Sequence, residues 1–127
     1  MDFDSKNFNP KELTDQVIAL GEEWADKDSA ASALEESKKS VLAKLVTEHL
    51  EKGRSGESPR GISVSAAELK ALGDPKYEVH VDLMVQARKE ANKARVRYDM
   101  GKMQLELIRS LQATLRSEMN LNKGVGA

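Results

Sequence analysis

His49 and His80 stand near Glu48, Glu78 and Asp82 in the sequence, and two imidazoles with a carboxylate are a donor set for a divalent metal. Neither histidine has the second histidine, one helical turn away, that a zinc-binding helix supplies. The bland alternative is a pair of histidines hydrogen-bonded near the end of a helical hairpin; it is preferred, and no metal ligand is assigned. The segment GRSGESPRG (53–61) is rich in glycine but lacks both the lysine–serine ending and the preceding strand of a phosphate-cradling loop. Glu22-Glu23 and Glu35-Glu36 are neighbours on a helix and point in different directions, as solvated carboxylates do. Trp24 and Tyr98 fall on an apolar seam and read as packing residues. Ser55 and Ser58 are ordinary loop hydroxyls, open to modification or to contact by a partner. No acid, base or nucleophile emerges with a companion, so the chain reads as a non-enzyme without catalytic residues, cofactor or metal.

The composition narrows the class further. With 20 basic and 21 acidic residues in 127, the formal net charge is −1, which suits neither a general polyanion binder nor an acidic mimic of DNA. Aromatic residues make up 4% with one Trp, too few for a surface that stacks single-stranded bases. Cysteine is absent, which removes disulfides and thiolate metal sites and fits a reducing compartment. The opening MDFDSKNFNP is acidic and polar, unlike a secretory signal, and no apolar run is long enough to span a membrane. A cytoplasmic, all-helical protein is the expectation.

The elements that must position any site are two long helices and a decorated turn. Residues 1–9 are expected to form an N-terminal arm. Asn9-Pro10 starts a helix over 10–52, with Asn as N-cap and Pro at the first helical position; Leu13, Val17, Leu20, Trp24, Ala31, Leu34, Val41 and Leu45 mark its apolar face. Gly53 is the expected stop, and 53–64 a loop. A short helix over 65–72 has Ser65 and Glu68 as a capping box, Val64 and Leu69 as a staple and Gly73 as terminator. Asp74-Pro75 launches the last helix, 75–119, before a flexible tail, 120–127. Its heptad has Tyr77, Met84, Ala91, Tyr98, Leu105, Gln112 and Met119 at one core position, and His80, Ala87, Ala94, Gly101, Ile108 and Leu115 at the other. The fold class is therefore all-α: an antiparallel, coiled-coil-like long-helix hairpin, a single domain over 10–119, expected to oligomerise into a bundle.

Residues 87–109, ARKEANKARVRYDMGKMQLELIR, carry seven Lys or Arg, and two readings compete for them. In the first, residue i of the front helix lies near residue 126 − i of the rear one. Leu45 then meets Val81, Leu34 meets Ala91, Trp24 meets Gly101 and Lys102, and Val17 meets Ile108. Ala30, Ala31 and Ala33 face Ala87, Ala91 and Ala94. Arg88, Arg95, Lys102, Arg109 and Arg116 recur every seven positions beside the seam and answer the eight acidic residues between Glu12 and Glu36. Glu35 reaches Arg88 or Arg95, and Asp28 reaches Arg95 or Lys102. In the second reading, Lys89, Lys93 and Arg97 lie off the pairing edge and contact nucleic-acid phosphates.

The rear helix has more apolar surface than one neighbour can cover. Met100, Met103, Leu107 and Leu111 form a second stripe, and a helix apolar on two sides is usually buried on two sides. Burying four such side chains is worth roughly 6–12 kcal/mol before association costs. These residues are the expected interface of a homo-oligomer, a dimer first of all; cover by the short helix or by Phe3 and Phe8 of the arm is the intramolecular alternative, and a foreign protein a third.

The two stretches LGEEWADKDSAASALEESKKSVLAKL and ARVRYDMGKMQLELIRSLQATLRSEM resemble small helical proteins of tailed bacteriophages, from recombination, replication or host-takeover gene regions. The resemblance covers both long helices and not the loop. It implies a bacterial-cell interior and a role exercised through binding, as an accessory or inhibitor of a host or phage protein machine, and it supplies no catalytic residue. The secreted Trp-X-Gly hairpins match poorly, because the turn lacks that tripeptide. The expected function is thus protein–protein interaction, with a nucleic-acid accessory using Lys89, Lys93 and Arg97 as the alternative.

Overall fold

The computed structural model describes residues 9–55 and 61–125. Among them there are three helices and no strand: α1 (Pro10–Ser55), α2 (Val64–Leu72) and α3 (Pro75–Val125). α1 and α3 pack antiparallel, with α2 in the connection, so the all-α hairpin read from the sequence is the fold. Its contacts fall into two compact units, one built from the residues up to Ala25 and from Asn92 onward, the other from Asp26–Ala91. The expected arm, 1–9, lies outside the described residues except for Asn9, as do Phe3, Phe8 and Ser58.

The caps explain most of the boundaries. Asn9 Oδ1 accepts the N–H groups of Lys11 and Glu12 at 3.0 and 3.3 Å, which satisfies two of the donors that a helix start leaves open. Asp74 does the same for α3, its Oδ1 accepting the Lys76 N–H at 2.9 Å. Elsewhere the expected boundaries shift. α1 passes through Gly53 to Ser55, because this glycine makes room for a neighbour: a Cβ there would lie 3.0 Å from Ile62 Cγ1 and 3.2 Å from its backbone nitrogen. Gly61, at φ +70°, takes the left-handed conformation that glycine adopts without strain.

The cap of α2 is Ser63, two residues ahead of the expected Ser65. Its backbone is extended and its Oγ accepts the Ala66 N–H at 3.1 Å. Val64 and Leu69 are exposed and form no staple. Gly73 does end the helix, with its N–H on Leu69 O at 3.2 Å. At the far end, α3 continues to Val125 instead of stopping at 119; no proline interrupts it there.

In the first unit Leu13, Val17, Leu105 and Ile108 form a buried cluster with Tyr98 packed against it. Two glycines let large side chains in: a Cβ on Gly21 would lie 3.2 Å from the Tyr98 ring, and one on Gly101 3.1 Å from Leu20 and 3.4 Å from Val17. Trp24 stacks on Tyr98, ring centroids 5.8 Å apart, and not on Gly101. The expected register is therefore off by about one helical turn, since the Trp24–Tyr98 contact and the Gly101 notch together fix how the helices slide. In the second unit Ala31, Leu45, Ala67, Ala71 and Ala91 are buried. Ala30 and Ala33 are exposed, a correction to the expected alanine trio: neighbours about 100° apart around a helix cannot share one narrow face.

The heptad of α3 is buried or half-buried from Tyr77 to Gln112. Leu115 and Met119 are exposed, past the turn of α3 that packs on Leu13. Replacing Ile108 by Ala should lower the unfolding free energy by about 2–5 kcal/mol, measured by urea denaturation. Leu83→Ala, at an exposed position of the same helix, should stay within about 0.5 kcal/mol.

Candidate interaction surface

α3 has used its inner side on α1, and its outer side carries the leftover apolar residues. Val96, Met100, Met103, Leu107 and Leu111 are 57, 57, 68, 61 and 50% exposed. At 100° per residue they fall within an arc of about 80°, roughly opposite the seam, and extend for about 22 Å. All five belong to the first unit. Among the described residues none covers them. A contiguous apolar strip of this kind is a candidate interaction surface. Val96 extends the four residues expected there, and its place one turn before Met100 was the signal in the sequence.

The basic residues beside this face divide. Lys89 and Lys93 are exposed, the first in the second unit and the second in the first. Arg97 is not off the pairing edge as expected: its Nη2 donates to Glu23 Oε1 at 3.1 Å. The one-turn shift in register brings Glu23 within reach.

Arg88 shows the same shift. Its Nη1 donates to Asp28 Oδ1 at 2.6 Å, its Nη2 to Glu35 Oε1 at 2.5 Å and its Nε to Glu35 Oε2 at 3.2 Å, with Ser32 Oγ at 3.3 Å. Glu35 meets Arg88 as expected, whereas Asp28 meets Arg88 and neither Arg95 nor Lys102. The guanidinium fork matches a carboxylate in two places at once. Hydrogen bonds from Arg88 hold the Glu35 carboxyl below its ordinary range, and those from Glu35 and then Asp28 raise the guanidinium above its own. Arg95 and Lys102 turn to aromatic faces: Arg95 lies 5.9 Å from the Trp24 ring centre, and Lys102 Nζ 4.6 Å from that of Tyr98. Such contacts are electrostatic, cation to ring face.

The two histidines do not converge. His49 Nε2 lies 2.9 Å from Asp74 Oδ2. Asp74 is held below the usual carboxylate range, first by the Lys76 backbone N–H and then by His49. His80 Nε2 lies 3.0 Å from the Leu34 carbonyl oxygen, which can only accept, so this nitrogen carries the proton. Leu34 O also accepts the Ser37 hydroxyl at 3.0 Å. His49 and Leu34, the α1 residue that His80 meets, are thus about 22 Å apart along the helix. Among the described residues no group of three or more histidines and carboxylates is placed to hold a metal, and no helix is long and apolar enough to cross a membrane.

Comparison with protein-family models, with curated proteins and with solved structures finds no match.

The Arg88 fork predicts an acid dependence. Because the folded chain lowers the Glu35 pKa, its contribution is complete above the ordinary carboxylate value and is lost as pH falls through the folded value. Glu35→Gln should therefore melt below the wild type at about pH 7, and the gap should narrow as pH falls below the ordinary carboxylate range. A gap in melting temperature that does not change with pH would contradict the ionic reading.

Proposed function

We propose that this chain is a non-enzymatic protein–protein interaction module, a helical hairpin that presents the outer face of α3 to another polypeptide. The observation that carries the reading is the exposed strip Val96–Leu111 on a helix whose other side is already occupied. Its chemistry supports this. Met100 and Met103 are flexible and polarisable, and methionine-rich surfaces adapt to the helices they meet. Leu107 and Leu111, one turn apart, are anchors of the kind that fill a groove. The resemblance to tailed-phage helical proteins points to an accessory or an inhibitor of a protein machine inside a bacterial cell.

A nucleic-acid role would rest on Lys89, Lys93 and Arg97. Arg97 is already engaged by Glu23, and phosphate binding gains from several cations acting together. The protein reading therefore stands first.

The test is capture from bacterial lysate by the immobilised chain, beside the Leu107→Glu variant. Because Leu107 is exposed, the variant keeps its helical fold, checked by circular dichroism. Partners should be retained by the wild type and reduced at least tenfold by the variant. The same proteins recovered equally on both would contradict the assignment. In parallel, labelled single- and double-stranded DNA and RNA should show no binding that weakens with added salt; a steep salt dependence would favour the cationic residues instead.

A further inference from the structure

We propose that a second copy of this chain occupies the outer face of α3, running antiparallel to the first, with Met103 beside the two-fold axis. This deepens the reading just given and rests on that face being a docking surface.

The first argument is the pattern of the strip itself. Val96 and Met100 precede Met103, and Leu107 and Leu111 follow it, at nearly matching distances. Turning one copy end for end lays Val96 against Leu111 and Met100 against Leu107, while Met103 meets its own mate. A closed two-fold pair needs a surface that is its own complement, and this one is.

The second argument is charge. Lys93 lies before the strip and Glu118 after it, and both are exposed. They share the strip's side of α3, since about 100° per residue carries the helix round almost to the same angle over the 25 positions between them. Antiparallel pairing brings Lys93 of each copy towards Glu118 of the other. Parallel pairing sets Lys93 beside Lys93 and Glu118 beside Glu118. Opposite signs flanking an apolar seam select orientation in this way. Antiparallel order also keeps the two Lys93 side chains about 30 Å apart, which disperses the cations that a nucleic-acid site would gather.

The third argument is size. Five apolar side chains exposed by about half or more offer roughly 500 Å² per copy, hence about 1,000 Å² over the pair, the lower bound for a specific interface. The flanking polar residues Lys93, Gln104, Thr114 and Glu118 add to it. A reversible dimer is the form this area supports.

The chain has no cysteine, so single cysteines report orientation cleanly. The experiment combines light scattering on the full chain at about 50 μM with coupling of Val96→Cys, Met103→Cys and Leu111→Cys variants by a bismaleimide of about 8–10 Å reach, matched to the spacing of packed helices. The expected mass is twice 14.0 kDa. Met103→Cys should couple to itself. Val96→Cys should couple to Leu111→Cys in a mixture and not to itself, because two copies of residue 96 would be about 22 Å apart. Leu107→Glu should raise the dimer Kd at least tenfold while helix content is unchanged. A monomeric mass, or efficient self-coupling of Val96→Cys, overturns the proposal. If the chain is monomeric and Leu107→Glu still releases lysate partners, the docking face survives and the second copy does not. A dimer indifferent to Leu107→Glu removes both.

Discussion

α1 and α3 approach each other through small residues. Ala31 and Ala91 have no exposed surface, and in the other unit Gly101 leaves less than ordinary contact distance for a methyl group beside Leu20. Close approach makes a narrow seam, and a narrow seam consumes only one side of each helix. The rest of the molecule follows from that limit. α3 carries apolar residues on two sides, and among the described residues its Val96–Leu111 side is left facing solvent within a single chain. Where a globular protein would add another helix, this chain leaves a face open.

The polar residues fix the order of the helices more than they add stability. Arg88 is held by two carboxylates about two turns apart on α1, Asp28 and Glu35, with Ser32 on the turn between them, so a slide by one turn would break the fork. Exposed pairs of this kind gain little net free energy in water, and their value lies in rejecting wrong registers. Trp24 and Tyr98 do the same through shape, and Arg95 and Lys102 cover those rings. His80 adds an anchor to the Leu34 carbonyl. Of the cations in the 87–109 run, Arg88 and Arg97 pair with carboxylates of α1, and Arg95 and Lys102 lie against the two rings.

What could be read from the sequence was local. Asn9-Pro10 and Asp74-Pro75 announce helix starts through one side chain and one ring. The seam from Tyr77 to Gln112 follows from spacing alone, as does the second strip on α3. What could not be read was relational. Sliding one helix by a turn preserves every apolar position, so the pattern cannot choose between Trp24 on Gly101 and Trp24 on Tyr98. That one slide also moved Asp28 to Arg88 and gave Arg97 to Glu23. Gly53 has the residue type of a helix stop, yet it is there for Ile62, a neighbour no local rule reveals. Ser63 and Ser65 are equally good caps by composition, and the extended backbone at Ser63 decides between them.

The most direct measurement is peroxide oxidation of individual methionines, followed by mass spectrometry as the protein concentration rises. Met100, Met103 and Met119 are all exposed in the single chain, and only the first two lie on the outer strip. They should oxidise as fast as Met119 in dilute solution and several-fold more slowly when concentrated, while Met119 keeps its rate. If all three oxidise alike at every concentration, the outer face of α3 does not become buried on self-association, and the account of how this chain assembles is wrong.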